Sequence, residues 1–142
     1  MIVLNGLITM DVLKSYFISL AVFLAIDMVW LLVISKKLYS EKLGYLMTKN
    51  PNLAAALIFY MIFIAGLVFF VIQPALAQES WKYSLYAGIF FGLVTYATYD
   101  LTNLATVRDW PVIITVVDLI WGSFLSGSTA LISFLLLSKL AR

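Results

Sequence analysis

The chain has 142 residues, of which 64% are hydrophobic and 11% charged, and its formal net charge is +2. Soluble domains are about 45–50% apolar and about 25% charged, so this chain has too few polar side chains to cover a water-exposed surface, and a soluble globular protein is excluded. The sequence contains no Cys and no His, which excludes disulfides, thiolate nucleophiles, haem ligation and the usual zinc sites. We therefore expect no cofactor and no metal, and the small net charge predicts no nucleic-acid partner.

Four stretches of the chain are long and apolar enough to cross a membrane. A helix needs about 20 residues to cross a hydrocarbon core of about 30 Å. The four stretches lie at about residues 12–35, 52–77, 82–104 and 111–138. Asn50-Pro51 and Pro111 are typical of helix starts, and the short link at residues 78–80 allows only a tight turn. The sequence predicts an all-α fold: an integral membrane four-helix antiparallel bundle that forms one transmembrane domain over residues 1–142.

The start of the chain and the distribution of bases bear on targeting and orientation. Residues 1–9 have no charged region and no small-residue cleavage site, so a removable signal peptide is not expected, and Met10 is an alternative start. Five bases flank the first and third connections, against four at the opposite face. The excess favours a cytoplasmic location for these two connections. The five bases are Lys36, Lys37, Lys42, Lys49 and Arg108.

Three carboxylates lie inside the predicted spans: Asp27, Asp100 and Asp118. An ionised acid near the membrane centre costs about 2.5–3.5 kcal/mol, so such residues need a partner or a function. At a rise of about 1.5 Å per residue, all three fall roughly 6–12 Å from the face of the first and third connections. Tyr60 and Tyr96 fall at about 10–12 Å by the same rise. All four helices therefore place an acidic or hydrogen-bonding side chain in one layer, which predicts a polar ligand-binding site.

No lysine or arginine lies inside a span, so intramembrane ion pairs cannot neutralise all three acids. The alternatives are a protonated acid, a bound cation, or a base such as Lys36 or Arg108 that reaches in from a connection. Arg108 lies directly above the acidic layer, where it is expected to bind an anionic headgroup or Asp100; its simplest alternative is a loop cation beside Asp109. A purely structural, hydrogen-bonded core is the alternative to a functional site.

Further side chains share faces with these acids. Asn103 lies on the face of the third span that also carries Tyr96 and Asp100. Trp30 and Trp121 each follow an aspartate in a D-x-x-W pattern, a spacing at which the indole can shield the acid or donate to it. Trp81 and Trp110, at span ends, are predicted to be interfacial anchors.

Small residues recur at helical spacing on the third and fourth spans. Gly88-x-x-x-Gly92 and Gly122-x-x-x-Ser126 are patterns that let membrane helices approach closely. Thr129 extends the second pattern on the same face. Helix packing is the simplest role of these residues, and the glycine faces also make a homodimer an expected partner arrangement.

Five segments and one glycine carry a resemblance to a known family: residues 23–31, 59–60, 74–76, 96–106 and 117–122, with Gly66. Together they resemble a bacterial family of small membrane proteins called domain of unknown function 2177. The resemblance covers nearly the whole chain from about Met10 and implies a multi-pass protein of the bacterial inner membrane. The family has no established activity, but in some genomes its members are encoded near lipid-modifying enzymes, and the resemblance therefore implies a lipid or other amphiphile as ligand.

Three functions remain open at this point. The first is binding or transport of a proton, a cation, or a small amphiphile or lipid headgroup through the acidic layer. The second is a membrane-embedded lipid-modifying enzyme that uses an aspartate pair, for which Asp100 and Asp118 are the natural candidates. The third is an accessory subunit of a lipid-modifying enzyme. Membrane lipids are expected partners in each case.

Overall fold

The computed structural model describes residues 7–141, with side chains from residue 11 onward, and this part of the chain contains helices and no strands. Four continuous helices follow one another, and the first two each contain a π-helical segment. The first runs through Leu7–Val29, the π-helix Trp30–Ser35 and Lys36–Leu43; the second through Leu53–Leu67, the π-helix Val68–Ile72 and Gln73–Ala77; the third is Trp81–Thr106; the fourth is Val112–Leu140.

Three of these helices are long and apolar enough to cross a membrane: Asp11–Leu43, Leu53–Ala77 and Val112–Leu140. The third helix has 26 residues, a sufficient length, but it is more polar than the other three. It packs along the fourth helix over most of its length. The predicted all-α membrane bundle is confirmed.

Side chains cap the N-termini of the second and third helices. Asn52 accepts a hydrogen bond from the backbone N–H of Ala55 at 3.1 Å, and Ser80 accepts one from Tyr83 at 3.2 Å. These caps satisfy N–H groups that have no partner inside the helix. Glu79, with a φ of 49°, reverses the chain between the second and third helices.

The third and fourth helices approach closely because glycines line their contact. A Cβ atom on Gly92 would lie 2.0 Å from the backbone oxygen of Gly122, and one on Gly88 would lie 2.8 Å from the Cβ of Ala130. Contacts this short leave room only for glycine. These glycine faces are therefore occupied within the chain, and a homodimer would need another surface.

The centre of the bundle is apolar, and its outer surface is apolar too. Phe23, Ile64 and Leu125 are fully buried. Leu32 and Phe90 are 69% and 65% exposed, as expected where hydrocarbon chains replace water around a membrane protein.

The first helix continues to Leu43, about two turns beyond the end at residue 35 that the sequence predicts. Apolar composition falls after Lys36 and Lys37, but helical geometry does not end there. The extension carries Tyr39 over the buried acids, as described below.

Candidate functional site

Asp100 and Asp118 form the centre of the site. They lie on the third and fourth helices, on either side of the short connection that joins them, and their carboxyl groups are adjacent. Asp100 is fully buried and Asp118 is 5% exposed. The close packing of the two helices thus places two buried carboxyl groups side by side.

Asp118 has a second partner from the first helix. The hydroxyl of Tyr39 donates a hydrogen bond to Oδ1 of Asp118. The carboxyl oxygens of Asp100 have no hydrogen-bond partner among protein donors in the described part of the chain. The two members of the pair are therefore unequal: Tyr39 holds Asp118, whereas Asp100 is free to bind a donor.

Asp27 lies in a separate part of the site. It is 6% exposed, and its Oδ2 accepts a hydrogen bond of 2.8 Å from the hydroxyl of Tyr60 on the second helix. The indole N–H of Trp121 lies beside the same carboxyl group, although it has no hydrogen-bond acceptor in bonding geometry. Asp27 is thus hydrogen-bonded to the second helix and lies beside an indole of the fourth.

The two D-x-x-W patterns meet in space. The rings of Trp30 and Trp121 stack, with centroids 4.4 Å apart and an angle of 9° between their planes. Because the first and fourth helices run antiparallel, Asp27 and Asp118 lie on opposite sides of this stack along the helix axes. The stacked indoles separate Asp27 from the Asp100 and Asp118 pair.

Tyr96 occupies the space between the two acidic regions and lies near all three aspartates. Its ring packs on Gly122, where a Cβ atom would lie 2.2 Å from Cγ of the tyrosine. Gly122 is therefore required for the position of Tyr96 as well as for close helix packing.

A cavity of about 330 Å³ adjoins the aspartate pair. Most of its lining is aromatic, and two of its residues, Phe59 and Tyr99, are 49% and 62% exposed on the lipid-facing surface. A second cavity of about 290 Å³ lies between Asp118 and the first connection. The first cavity is lined by Phe59, Phe63, Thr95, Tyr96, Tyr99, Asp100 and Asp118. The second is lined by Tyr39, Leu43, Met47, Tyr99, Trp110 and Asp118.

The structure brings seven of the nine predicted site residues into this region and leaves two at its edge. Arg108 is exposed in the connection after the third helix, and Asp100 contacts Asp118 rather than this base. Asn103 lies beside the exposed Tyr99. The residues brought together are Asp27, Asp100, Asp118, Tyr60, Tyr96, Trp30 and Trp121.

Trp110 differs from its prediction as an interfacial anchor. It is only 9% exposed, and its indole N–H donates to Oγ1 of Thr115 at 3.1 Å. The connection folds this residue back over the start of the fourth helix, so it lines the second cavity instead of facing lipid.

Sequence reasoning missed Tyr39 for a geometric reason. At about 100° per residue, a regular α-helix places Tyr39 about 120° around the axis from Asp27. The π-helix Trp30–Ser35 lies between them, and because a π-helical turn accommodates one extra residue, it brings Tyr39 to about 20° from Asp27. The π-helix therefore places Asp27 and Tyr39 on one polar face of the first helix.

No group of three or more acidic side chains converges in residues 11–141, because Asp27 stands apart from the other two acids. Tyrosines, tryptophans and another carboxyl group surround the three buried carboxyl groups, and no lysine or arginine of the described residues lies among them.

The fold and the site together define an integral membrane helical bundle with a buried acidic interior. The family described as predicted membrane protein (DUF2177) matches residues 12–135. The chain belongs to this family, and the resemblance inferred from its sequence is confirmed. Neither a curated protein nor a solved structure matches the chain.

Proposed function

We propose that the chain binds a membrane amphiphile whose polar end carries N–H or O–H donors, and that the Asp100 and Asp118 pair receives this end. The observation that supports the proposal most directly is Asp100 itself. It is fully buried beside the larger cavity, and both of its carboxyl oxygens lack a protein donor among the described residues. A buried acceptor without a partner is costly, and a bound donor removes that cost.

The shape and depth of the cavity favour an amphiphile over a small ion. Its lining is mostly aromatic, and Phe59 and Tyr99 give access from the lipid-facing surface between the second and third helices. Asp100 lies about 6 Å below the membrane face by helix rise, which is the depth of a polar group just beneath the interface. An acyl or aromatic tail can occupy the apolar part while an amine or hydroxyl group reaches the acids.

The test compares two lipids that differ in N–H donors. Phosphatidylethanolamine and phosphatidylcholine are added to the detergent-purified protein, and bound lipid is measured by native mass spectrometry. The proposal expects tighter binding of phosphatidylethanolamine, whose ammonium group donates hydrogen bonds. Asp100→Asn should weaken that binding about tenfold, since a charge-assisted hydrogen bond contributes roughly 1.5–3 kcal/mol.

Glu79→Gln is the matched control, because it also neutralises one carboxyl group but lies exposed in the turn between the second and third helices. It should leave the lipid preference unchanged. Equal binding of the two lipids to the native protein, or equal effects of Asp100→Asn and Glu79→Gln, would contradict the proposal.

The adjacency of the two carboxyl groups also supports a second candidate, a membrane-embedded lipid-modifying enzyme. In that case Asp100 acts as the protonated acid, and Asp118, which Tyr39 holds, acts as the base that activates water or a lipid hydroxyl. Incubation of the purified protein with labelled phospholipids should then yield a new lipid product, lost in Asp118→Asn. Binding without any product assigns the pair to binding alone.

We further propose that the protein resides in the bacterial inner membrane and that a lipid-modifying enzyme is its partner. Both follow from the family resemblance. Pull-down from native membranes tests the partner: recovery of the chain alone, or only with a second copy, contradicts it.

A further inference from the structure

A second polar feature lies in the half of the bundle away from the aspartate pair. Five hydroxyl groups there are fully buried and have no hydrogen-bond partner among the described residues. They come from the first, third and fourth helices, and we call them the hydroxyl seam. Its members are Ser19, Ser84, Ser126, Thr129 and Ser133.

These hydroxyl groups are exceptional even for a membrane helix. A serine or threonine in a helix ordinarily donates to the carbonyl one turn earlier, as Ser123 does to Leu119 at 2.8 Å. The seam hydroxyls make neither this bond nor one across the interface. The desolvation cost of five such groups is comparable to the net stability of a domain, so they require a ligand that supplies hydrogen bonds.

The placement of the seam indicates what that ligand is. Ser126, Thr129 and Ser133 lie on successive turns of one face of the fourth helix, and Oγ of Ser126 lies against Gly92 inside the contact with the third helix. Ser84 lies one turn before Gly88 on the face of the third helix that meets the fourth. Interior sites lined by hydroxyl groups suit water, which both donates and accepts hydrogen bonds.

The seam has a polar exit at one face of the bundle. Oγ of Ser15 accepts a hydrogen bond of 2.9 Å from the side chain of Gln73 and donates one of 2.8 Å to the backbone of Asp11. Asp11 is exposed. Since Ser15 lies one turn before Ser19 on the first helix, polar groups continue from the seam to this surface.

The other end of the seam approaches the buried acids. Trp121 lies beside Asp27, and Ser126 follows Trp121 by a rise of about 7.5 Å along the fourth helix. Beyond the acids, the smaller cavity leads from Asp118 to the exposed Met47 in the first connection. Polar side chains thus lead from the Asp11 face toward the buried acids, and the smaller cavity continues from Asp118 to the first connection.

We propose that the hydroxyl seam holds a chain of water molecules that carries protons between the Asp11 face and the buried carboxyl groups. A proton enters from bulk water at that face. Each water or hydroxyl oxygen accepts one proton and releases another to its neighbour, so each oxygen keeps the same number of O–H bonds. The carboxylate of Asp27 takes up the last proton as a carboxylic acid. The hydroxyl of Tyr96, which lies near all three aspartates, accepts this proton as it gives up its own to the aspartate pair, and the pair releases the proton toward the smaller cavity.

Proton flux in proteoliposomes tests this proposal. The full-length protein is reconstituted into liposomes with an internal pH-sensitive dye, and a potassium diffusion potential drives protons inward. Flux above that of empty liposomes is expected for the native protein. Thr129→Val, which replaces a hydroxyl by a methyl group of similar size, should remove most of this flux.

Ser123→Ala is the matched control, because it deletes a hydroxyl from the same helix that is bonded within the helix and lies outside the seam. Its flux should equal that of the native protein. Ser126→Ala and Ser133→Ala test the same expectation if Thr129→Val does not yield folded protein. Native flux equal to that of empty liposomes overturns the proposal, as does flux that persists in the seam variants. No amphiphile is needed in this assay, so its result is separate from that of the lipid-binding test.

Discussion

Gly122→Ala is expected to destabilise the bundle through one identifiable contact. The added Cβ would lie 2.2 Å from Cγ of Tyr96. Carbon atoms in contact are about 3.5 Å apart, so the ring must move by about 1.3 Å. Cγ is the atom at the base of the ring, and it cannot move without a change in the third helix or in the tyrosine rotamer.

The magnitude follows from two opposing effects. Overpacking of a filled interior costs about 1–3 kcal/mol, and a contact with the base of a ring lies at the upper end of that range. Replacing glycine by alanine within a helix stabilises the helix by about 1 kcal/mol. The net loss in the free energy of unfolding is therefore about 2 kcal/mol.

A double-mutant cycle measures the contact directly. In the Tyr96→Ala background the ring is absent, so Gly122→Ala should stabilise the protein by up to about 1 kcal/mol instead of destabilising it. Unfolding in mixed micelles, followed by circular dichroism, gives the four free energies. Gly66→Ala is the control, since its Cβ would meet only the outer ring atom of Phe91 at 3.1 Å, which can move easily. The same cost of Gly122→Ala in both backgrounds would refute the reasoning.

Three further predictions concern single contacts. Tyr39→Phe removes the hydrogen bond to the aspartate pair and should lower the free energy of unfolding by about 1–2 kcal/mol. Tyr45→Phe, the control, removes an exposed hydrogen bond and should change that free energy by less than about 0.5 kcal/mol; chemical unfolding measures both, and equal effects would contradict the prediction. Trp121→Leu leaves Trp30 without its stacked partner and should therefore change the fluorescence emission of Trp30. If the emission of Trp30, after subtraction of the other tryptophans, is the same in the variant and the native protein, the stack does not form. Ser80→Ala removes the cap of the third helix and should cost about 1 kcal/mol in thermal unfolding, and no measurable cost would mean that water replaces the cap.

The arrangement of the acids shows why the candidate site was only partly predictable. Helix rise alone predicts that the three aspartates share a layer, because the depth is counted only from a span end. The structure instead places Asp27 and Asp118 on opposite sides of the tryptophan stack along the helix axes. Helix rise also does not predict which of the acids meet. Asp100 and Asp118 are adjacent because glycines bring the third and fourth helices together, while the stacked tryptophans keep Asp27 apart.

The sequence by itself determined that the protein lies in a membrane, how many helices it has and that acids are buried among them. Apolar composition and span length are properties of short segments, and they need no knowledge of neighbouring helices. Only the tertiary structure decided the partners of those acids. Tyr39 reaches Asp118 because a π-helix rotates the end of the first helix, and Trp110 is buried because the connection folds back. Such contacts depend on rotation about helix axes and on the close approach of helices, which small local changes in backbone geometry control.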